Sequence, residues 1–423
     1  MKEIETRRCK IINEKMLLVT VDMGKVMHTG YCRCPDGTEI KVFEFFNTGQ
    51  GFHKFWGHIT QVMRAKNLEE MVVGFESTGP YAEPLLHYLM KRRVKLVQVN
   101  PMHTKRLKEL QGNSPSKTDQ KDPKVIADII ELGHALMVVI PEGAPAELRR
   151  LTQARERAIQ RRTAIFNQLH DLVFILFPEY LQVMKNIKTV SSQHLLKHLP
   201  TPQDIINYGL DALTATLRRT SRGKLGKERA MALYEVARES AGIKEGQTSI
   251  LIEIREILAI IESSERFIAE IEKEMSCRLD EIPYKNSILS LKGIGKITAA
   301  GLIGEVGDFS KFKTIPEVVK LAGLDLFEIS SGKHKGQRHI SKRGRPLMRK
   351  LLFFAAINVV RKGGIMHEQY QKYINGGMPK MKALVAIARK LLCVIFALVR
   401  DHREYISNFR KGQNTVPVVK EAA

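Results

Sequence analysis

The chain has 423 residues, with 68 Lys and Arg against 45 Asp and Glu, and its formal net charge is +23. This length allows two or three domains with a buried core, and a content of 43% hydrophobic and 27% charged residues excludes wholesale disorder. The longest apolar run, residues 391–399, is shorter than the roughly 20 residues that cross a bilayer, and the first 15 residues lack a signal-peptide core. Five scattered cysteines match neither a disulfide framework nor a zinc site. We therefore expect a cytoplasmic protein without a membrane partner.

Residues 16 to about 135 alternate between strand-like and helix-like patterns. Four short apolar runs have the length of β-strands, and they lie at 16–21, 42–46, 71–75 and 94–99. Apolar residues at helical spacing predict helices between these strands, at 52–65 and 81–92. Strands interleaved with helices indicate a sheet with helices packed on its faces, which is an α/β domain.

Long helices follow, and the rest of the chain has short helices with glycine turns. Residues 148–176 and 250–275 repeat apolar residues every three or four positions, as helices of a coiled coil or helical hairpin do. The sequence thus predicts four segments. They are an α/β domain at 1–140, a helical coiled-coil and dimerisation region at 141–282, a mainly α domain at 283–405 and a polar tail at 406–423.

Positive charge is concentrated towards the C-terminus. Residues 331–350 contain eight basic residues and no acidic residue. A charge run of this kind is often just a solvated surface. Twenty residues without a balancing carboxylate, in a chain of pI near 9.8, favour a polyanionic partner, and nucleic acid rewards clustered Lys and Arg because phosphate neutralisation releases counterions.

Four carboxylates mark the predicted α/β domain. Asp22 ends the first strand, Glu76 ends a later one, and Asp119 and Asp122 lie where a helix begins, three residues apart and so able to share a face. Acids gathered at one edge of a sheet repel one another unless a hard cation such as Mg²⁺ bridges them. Singly, each acid is better explained as a turn residue, a surface acid or a helix cap, because these roles are commoner than metal ligation.

The segments around these acids resemble those of a known enzyme family. TVDMGK with Asp22, GFESTGPY with Glu76, VNPMHTKRLK, and KTDQKDPKVIA with Asp119 and Asp122 are similar to the DEDD transposases of insertion-sequence family 110. The resemblance covers two blocks, about 16–180 and about 285–375. It implies a RuvC-like N-terminal domain with a ribonuclease-H fold, in which the four acids form a Mg²⁺-binding quartet.

A glycine-marked segment opens the third predicted domain. In LSLKGIGKITAAGLI, two apolar helical stretches flank Gly293 and Gly295, and glycines allow close approach of the backbone to a phosphate. An ordinary turn between core helices explains the pattern almost as well. With the resemblance, the segment is interpreted as a helix-hairpin-helix-like element that contacts the DNA backbone, with Lys292 and Lys296 beside the glycines.

Ser331 lies at the start of the basic run, in AGLDLFEISSGKHKGQRHISKRGR. Taken alone it is an ordinary loop serine. The family places a nucleophilic serine just before a glycine, after AGL and before a basic ISK-G segment, and Ser331 occupies that position. The adjacent Ser330 leaves the register open by one residue. Where the family often has Asn after Gly344, this chain has Arg345.

The resemblance also gives the basic residues of this run a role. Cations around a serine nucleophile stabilise the charge that develops on the phosphate. The predicted nucleic-acid contacts in this segment are Lys333, Lys335, Arg338, Lys342, Arg343 and Arg349.

Three functions follow from these patterns. By resemblance, the first is an insertion-sequence transposase that cuts and rejoins donor and target DNA through a 5′-phosphoserine, guided by a bridge RNA. Such an enzyme would work as a homodimer or homotetramer, with acids and serine meeting within one subunit or across two. The second is a Mg²⁺-dependent RuvC-like nuclease or junction resolvase that uses water. The third is a non-catalytic nucleic-acid-binding protein.

Overall fold

The computed structural model describes residues 13–76, 79–111, 122–138, 140–328, 336 and 338–406. The chain divides after residue 139 into two compact units, unit 1 and unit 2. Within these described ranges, no helix is long and apolar enough to span a membrane.

Unit 1 is built on one mixed sheet of six strands. In chain order they are β1 (Met16–Asp22), β2 (Met27–Arg33), β3 (Glu39–Phe46), β4 (Glu70–Glu76), β5 (Lys95–Val99) and β6 (Ala135–Met137). Their order across the sheet is β3-β2-β1-β4-β5-β6. The first three strands are antiparallel neighbours, β4 and β5 continue parallel to β1, and β6 is antiparallel to β5.

In the described residues of unit 1, four α-helices accompany this sheet. They are α1 (Gly49–Ala65), α2 (Glu83–Met90), α3 (Pro101–Gln111) and α4 (Asp122–Glu131), with a 3₁₀ turn at Pro80–Ala82. Helix α4 buries Val125, Ile126, Ile129 and Ile130 against the central strands. An apolar stripe at this spacing has to be covered, so the sequence of α4 itself fixes which side faces the sheet.

Unit 2 is almost entirely helical. Its helices are α5 (Ala144–Leu176), α6 (Tyr180–Val183), α7 (Val190–His198), α8 (Pro202–Tyr208), α9 (Leu210–Thr220), α10 (Lys227–Arg238), α11 (Gln247–Asp280), α12 (Lys285–Leu289), α13 (Lys296–Val306), α14 (Ile315–Ala322), α15 (Pro346–Val359), α16 (His367–Asn375) and α17 (Lys380–Arg400). A 3₁₀ turn lies at Phe309–Lys311, and β7 (Leu326–Glu328) pairs antiparallel with β8 (Arg338–Ile340).

Among the described residues of unit 2, two apolar cores hold the helices together. One joins the end of α5 and the start of α11 to the short helices α6–α10, around side chains such as Phe166, Tyr180 and Leu217. The other joins the opposite ends of α5 and α11 to α12–α17, around Met275, Leu352 and Leu391. The pair α5 and α11 therefore connects a small helical lobe, residues 177–246, to the C-terminal helices.

The predicted fold class is confirmed at the level of a mixed α/β unit followed by a mainly helical region. All four predicted strands and the long helices are present, each within a few residues of its expected limits. Strands β2 and β6 and the β7–β8 pair were not among the four predicted runs. The division of residues 141–282 from 283–405 stays a prediction, since both ranges fall within unit 2.

Candidate active site

Two of the predicted acids lie side by side at one edge of the sheet. Strands β1 and β4 are parallel and paired up to Val21 and Phe75, so the next residues, Asp22 and Glu76, end the two strands at the same level. Parallel strands end at a common edge, and both side chains are partly exposed there. Gly24 closes the turn after Asp22, where an added Cβ would collide with the carbonyl oxygen of Met27.

The third acid, Asp122, is brought to this edge by a contact that is distant in sequence. The buried hydroxyl of Thr20 in β1 donates a 2.6 Å hydrogen bond to the carbonyl oxygen of Pro123. This bond fixes the first turn of α4 beside β1, two residues before Asp22. Since α4 begins at Asp122, this hydrogen bond places the start of the helix beside the strand that ends in Asp22.

Helix α3 supplies two side chains to these acids that the sequence analysis missed. The hydroxyl of Thr104 lies 2.9 Å from Oε2 of Glu76, and the ammonium of Lys108 lies 2.6 Å from Oδ1 of Asp122. Thr104 and Lys108 are four residues apart and so share one face of α3. That spacing is present in the VNPMHTKRLK segment, although nothing in the sequence pairs these residues with particular acids.

The three acids have donor chemistry that suits a divalent cation. Carboxylate oxygens at a sheet edge are the ligands that Mg²⁺ prefers. In the part of the chain that the structure describes, however, no group of three or more His, Cys, Asp and Glu side chains is arranged to hold a metal ion. Asp119 lies outside the described residues. The quartet of Asp22, Glu76, Asp119 and Asp122 therefore stays a prediction.

The predicted nucleophile belongs to the connection between β7 and β8. Ser330, Ser331, Lys333 and Lys335 lie outside the described residues. The two strands on either side form an exposed antiparallel pair, with Leu326 opposite Ile340. The connection that carries the serines thus starts and ends on a two-stranded ribbon.

The base of this ribbon is held by hydrogen bonds. The hydroxyl of Ser341 donates to the carboxylate of Asp325, and the Ser341 N–H donates to the Asp325 carbonyl at 2.8 Å. The carboxylate of Glu328 pairs with Arg338 at 2.9 Å, and the guanidinium of Arg338 is 71% exposed. These contacts fix where the serine-bearing connection leaves the helical domain.

The arginines that follow the ribbon differ in their surroundings. Arg349 is partly buried and donates a 2.9 Å hydrogen bond to the carbonyl of Ala322, and burial lowers its pKa. Burial, together with repulsion from Arg149, lowers the pKa of Arg345 to about 10, and Arg345 also contacts the carbonyl of Glu305. Lys342 and Arg343 are exposed. DNA contacts by Arg338, Lys342, Arg343 and Arg349 stay a prediction.

The glycine-marked segment forms two helices joined by a tight turn. Helix α12 ends at Leu289 and α13 begins at Lys296. Gly293 has a φ of 108°, and an added Cβ would lie 3.0 Å from Cγ1 of Val359. Lys292, Gly295 and Lys296 are exposed on this turn, whereas Ile294 between them is 6% exposed. The turn therefore presents backbone and lysines to solvent and anchors itself through one apolar side chain.

Comparison with known proteins gives two separate matches. Residues 19–178 match the DEDD transposase model of IS110 type, described as a transposase. Residues 285–371 match the model described as the transposase IS116/IS110/IS902 family. The first match contains the sheet edge with Asp22, Glu76 and Asp122, and the second contains the hairpin turn and the serine-bearing connection.

Similar whole proteins come from insertion elements. The chain is 26% identical over 396 residues to the 44.8 kDa protein of insertion element IS116 from Streptomyces clavuligerus, covering 91% of this chain and 95% of that protein. It is 22% identical over 395 residues to the 43.6 kDa protein of insertion element IS110 from Streptomyces coelicolor, covering 93% and 96%. A segment of 132 residues is 33% identical to the pilin gene-inverting protein of Moraxella lacunata, covering 30% of this chain and 40% of that protein.

Proposed function

Since the chain belongs to the IS110/IS116 family of insertion-sequence transposases and is a DNA transposase, we propose that it cuts and rejoins DNA through a covalent bond to Ser331. The oxygen of Ser331 attacks a DNA phosphorus, and the bond from that phosphorus to the 3′ oxygen breaks. The products are a 5′-phosphoserine and a free 3′-OH. The 3′-OH of a partner strand then attacks the phosphoserine, restores a phosphodiester and returns the proton to Ser331.

This route needs no ATP. The phosphoserine keeps the energy of the broken phosphodiester, so each exchange is nearly isoenergetic. The sequence has no GxxxxGK[ST] nucleotide-binding motif. Two DNA duplexes have to meet, so the proposed working form is a homodimer or homotetramer.

The proposal assigns the acids at the sheet edge a supporting role. Asp22, Glu76, Asp119 and Asp122 would hold a divalent cation, with Mg²⁺ as the proposed ion. Such a cation supplies Lewis-acid activation of a hydroxyl and neutralises charge on the phosphate. Thr104 orients Glu76 by hydrogen bonding, and Lys108 balances the charge of Asp122.

The observation that best supports the proposal is that the elements carrying Asp22, Glu76 and Asp122 adjoin one another. Strand register places the ends of β1 and β4 side by side, and the Thr20–Pro123 hydrogen bond ties the start of α4 to β1, although the three acids are separated by up to 100 positions in sequence. Turn, surface and cap roles would not require these elements to adjoin. The antiparallel β1–β3 followed by parallel β4 and β5 supports a ribonuclease-H-like, RuvC-like fold for unit 1.

Two further parts of the proposal rest on the family resemblance. A bridge RNA would choose the donor and target sequences by base pairing. The turn from Lys292 to Lys296 and the basic residues on either side of Ser331 would contact the DNA backbone independently of sequence.

The test is a denaturing gel of the full chain with its co-purified RNA, Mg²⁺ and labelled donor and target DNA. We expect a protease-sensitive DNA adduct that is lost with Ser331→Ala and with Asp22→Ala. Ser330→Ala decides the register of the nucleophile. Ser310→Ala, at an exposed serine in the 3₁₀ turn Phe309–Lys311, is the control that keeps the adduct.

Nicked DNA without any adduct, unaffected by Ser331→Ala but abolished by Asp22→Ala, would overturn the serine mechanism. It would instead establish a metal-dependent nuclease or junction resolvase that uses water. DNA binding without strand breakage under all these conditions would contradict both mechanisms.

A further inference from the structure

The joint between α9 and α10 carries an unusual concentration of positive charge. Residues 212–227 include five basic residues and no acidic residue. All five side chains are exposed, and they are Arg218, Arg219, Arg222, Lys224 and Lys227. None of them forms an ion pair with a carboxylate of the described residues. We refer to these five residues as the 218–227 surface.

The backbone of this joint is ordered by its own hydrogen bonds. The N–H of Gly223 donates to the carbonyl of Arg218 at 2.9 Å, and the N–H of Leu225 donates to the hydroxyl of Ser221 at 2.8 Å. Arg222 and Gly223 adopt positive φ values of 55° and 80° in this turn. The charges are therefore held on a defined turn.

Helix electrostatics explain only part of this charge. Arg218 and Arg219 lie in the last turn of α9, where cations interact favourably with the helix dipole. Lys227 is the first residue of α10, where the dipole disfavours a cation. Arg222 and Lys224 lie outside both helices. At least three of the five charges thus lack an explanation within the lobe and fit an external anion.

Helix α7 extends the same basic region. The hydroxyl of Thr220, at the end of α9, donates a 3.0 Å hydrogen bond to the hydroxyl of Ser191 in the first turn of α7. The segment from 180 to 203 contains three lysines and no acidic residue. One of them, Lys197, is exposed and pairs with Glu262 at 2.8 Å.

Charged side chains of α7 and α9 act on the same group, the imidazole of His194. Burial lowers the pKa of His194 on α7. Repulsion from His198, Arg219 and Lys197 lowers it further, and the ring centroid of His198 lies 4.6 Å from that of His194. The surface is therefore a positive field built from two helices and a turn.

We propose that the 218–227 surface binds the phosphate backbone of duplex DNA. Duplex DNA carries a dense, regular array of phosphates, and clustered Arg and Lys gain affinity by releasing its counterions. The 218–227 surface lies within residues 179–284, between the two segments that match the family models, so it adds a contact outside the proposed active site. The proposal rests on the chain acting on DNA and is independent of the Ser331 chemistry.

The test compares two variants of the full chain with equal loss of charge. One replaces all five residues of the 218–227 surface with Gln. The matched control replaces five exposed basic residues that lie among acidic neighbours, namely Arg238, Lys244, Arg255, Arg266 and Lys273. Affinity for a duplex of arbitrary sequence is measured by fluorescence anisotropy over a series of salt concentrations, and circular dichroism verifies folding.

We expect the surface variant to bind duplex DNA at least about tenfold more weakly. The slope of log affinity against log salt should become shallower by about 3, because each lost phosphate contact removes about 0.9 and about three contacts are lost. The control should change much less. Wild-type amides of residues 218–227 should exchange hydrogen more slowly when the duplex is added.

Several results would overturn the proposal. If both variants weakened duplex binding equally, the effect would come from net charge alone. If hydrogen exchange of the amides at 218–227 did not change when the duplex is added, these residues would not contact the DNA. Weakened binding of an RNA hairpin with unchanged duplex affinity would make the surface an RNA site instead. The Ser331 adduct assay decides the proposed function separately, since it reads covalent chemistry and this test reads binding.

Discussion

The hydroxyl of Thr20 donates a 2.6 Å hydrogen bond to the carbonyl of Pro123, 103 residues further along the chain. Both groups are buried, and the bond joins the strand that ends in Asp22 to the helix that begins with Asp122. One hydroxyl therefore ties together the two elements that carry these acids and helps to set how the elements approach each other.

Replacing Thr20 with Val should impair this approach. The exchange leaves the buried carbonyl of Pro123 without its donor, which costs about 1–3 kcal/mol of unfolding free energy. Urea unfolding followed by the fluorescence of Trp56, the only tryptophan, measures this loss in unit 1. Thr20→Ser retains the hydroxyl and is the control. A Val variant with wild-type stability and a wild-type yield of the DNA adduct would contradict a role for the bond.

Lys108 should compete with a divalent cation for Asp122. Its ammonium lies 2.6 Å from a carboxylate that is 16% exposed. Lys108→Met should destabilise the cation-free protein by up to about 1 kcal/mol, because the pair is partly solvated. It should also enlarge the rise in melting temperature that Mg²⁺ produces, because a ligand bound more tightly by the folded state stabilises it more.

Lys105→Met is the control for the Lys108 experiment, since Lys105 is an exposed lysine on the same helix. Thermal melts with and without Mg²⁺ are the measurement. An identical Mg²⁺-dependent rise in Lys108→Met and wild type would rule out the competition.

Unit 1 should lose stability in mild acid through His28. This side chain is fully buried, and burial lowers its pKa. A histidine whose folded pKa lies below its unfolded value of 6.5 binds protons more readily when unfolded. Its stabilising contribution is therefore complete above pH 6.5 and declines as the pH falls below that value. Trp56-monitored urea unfolding at a series of pH values from neutral to mildly acidic measures the decline.

His28→Gln should flatten this pH dependence, since glutamine does not titrate in the range. Part of the remaining pH dependence should come from His58, because burial lowers the pKa of this side chain as well. A pH profile that His28→Gln leaves unchanged would exclude His28 as its source.

The turn that holds Asp22 should tolerate no Cβ at Gly24. Alanine there would meet the backbone carbonyl of Met27, so the turn has to open, at a cost of about 1–3 kcal/mol. Gly57, on α1, has nothing within 4 Å of an added Cβ. Gly57→Ala should be neutral or stabilise by up to about 1 kcal/mol, because alanine favours helix. Equal stabilities of the two variants in urea unfolding would refute the constraint at Gly24.

The type and limits of most elements could be predicted because they depend on local patterns. The strand Met16–Asp22 and the helix Ala144–Leu176 follow from runs and spacings of apolar residues within a single window. The strands Leu326–Glu328 and Arg338–Ile340 were missed because each has only three residues, almost all of them exposed, which carry no apolar alternation. Their pairing exists only once the two segments meet across the serine-bearing connection.

The sequence by itself determined that acids end two strands and begin a helix, that the C-terminal part is basic, and that two blocks resemble one transposase family. Tertiary structure alone decided that Thr104 contacts Glu76, that Lys108 pairs with Asp122, and that Thr20 secures Pro123. The reason is physical. Secondary structure follows from interactions between near neighbours, whereas these contacts depend on strand register and helix docking, which the whole core fixes at once.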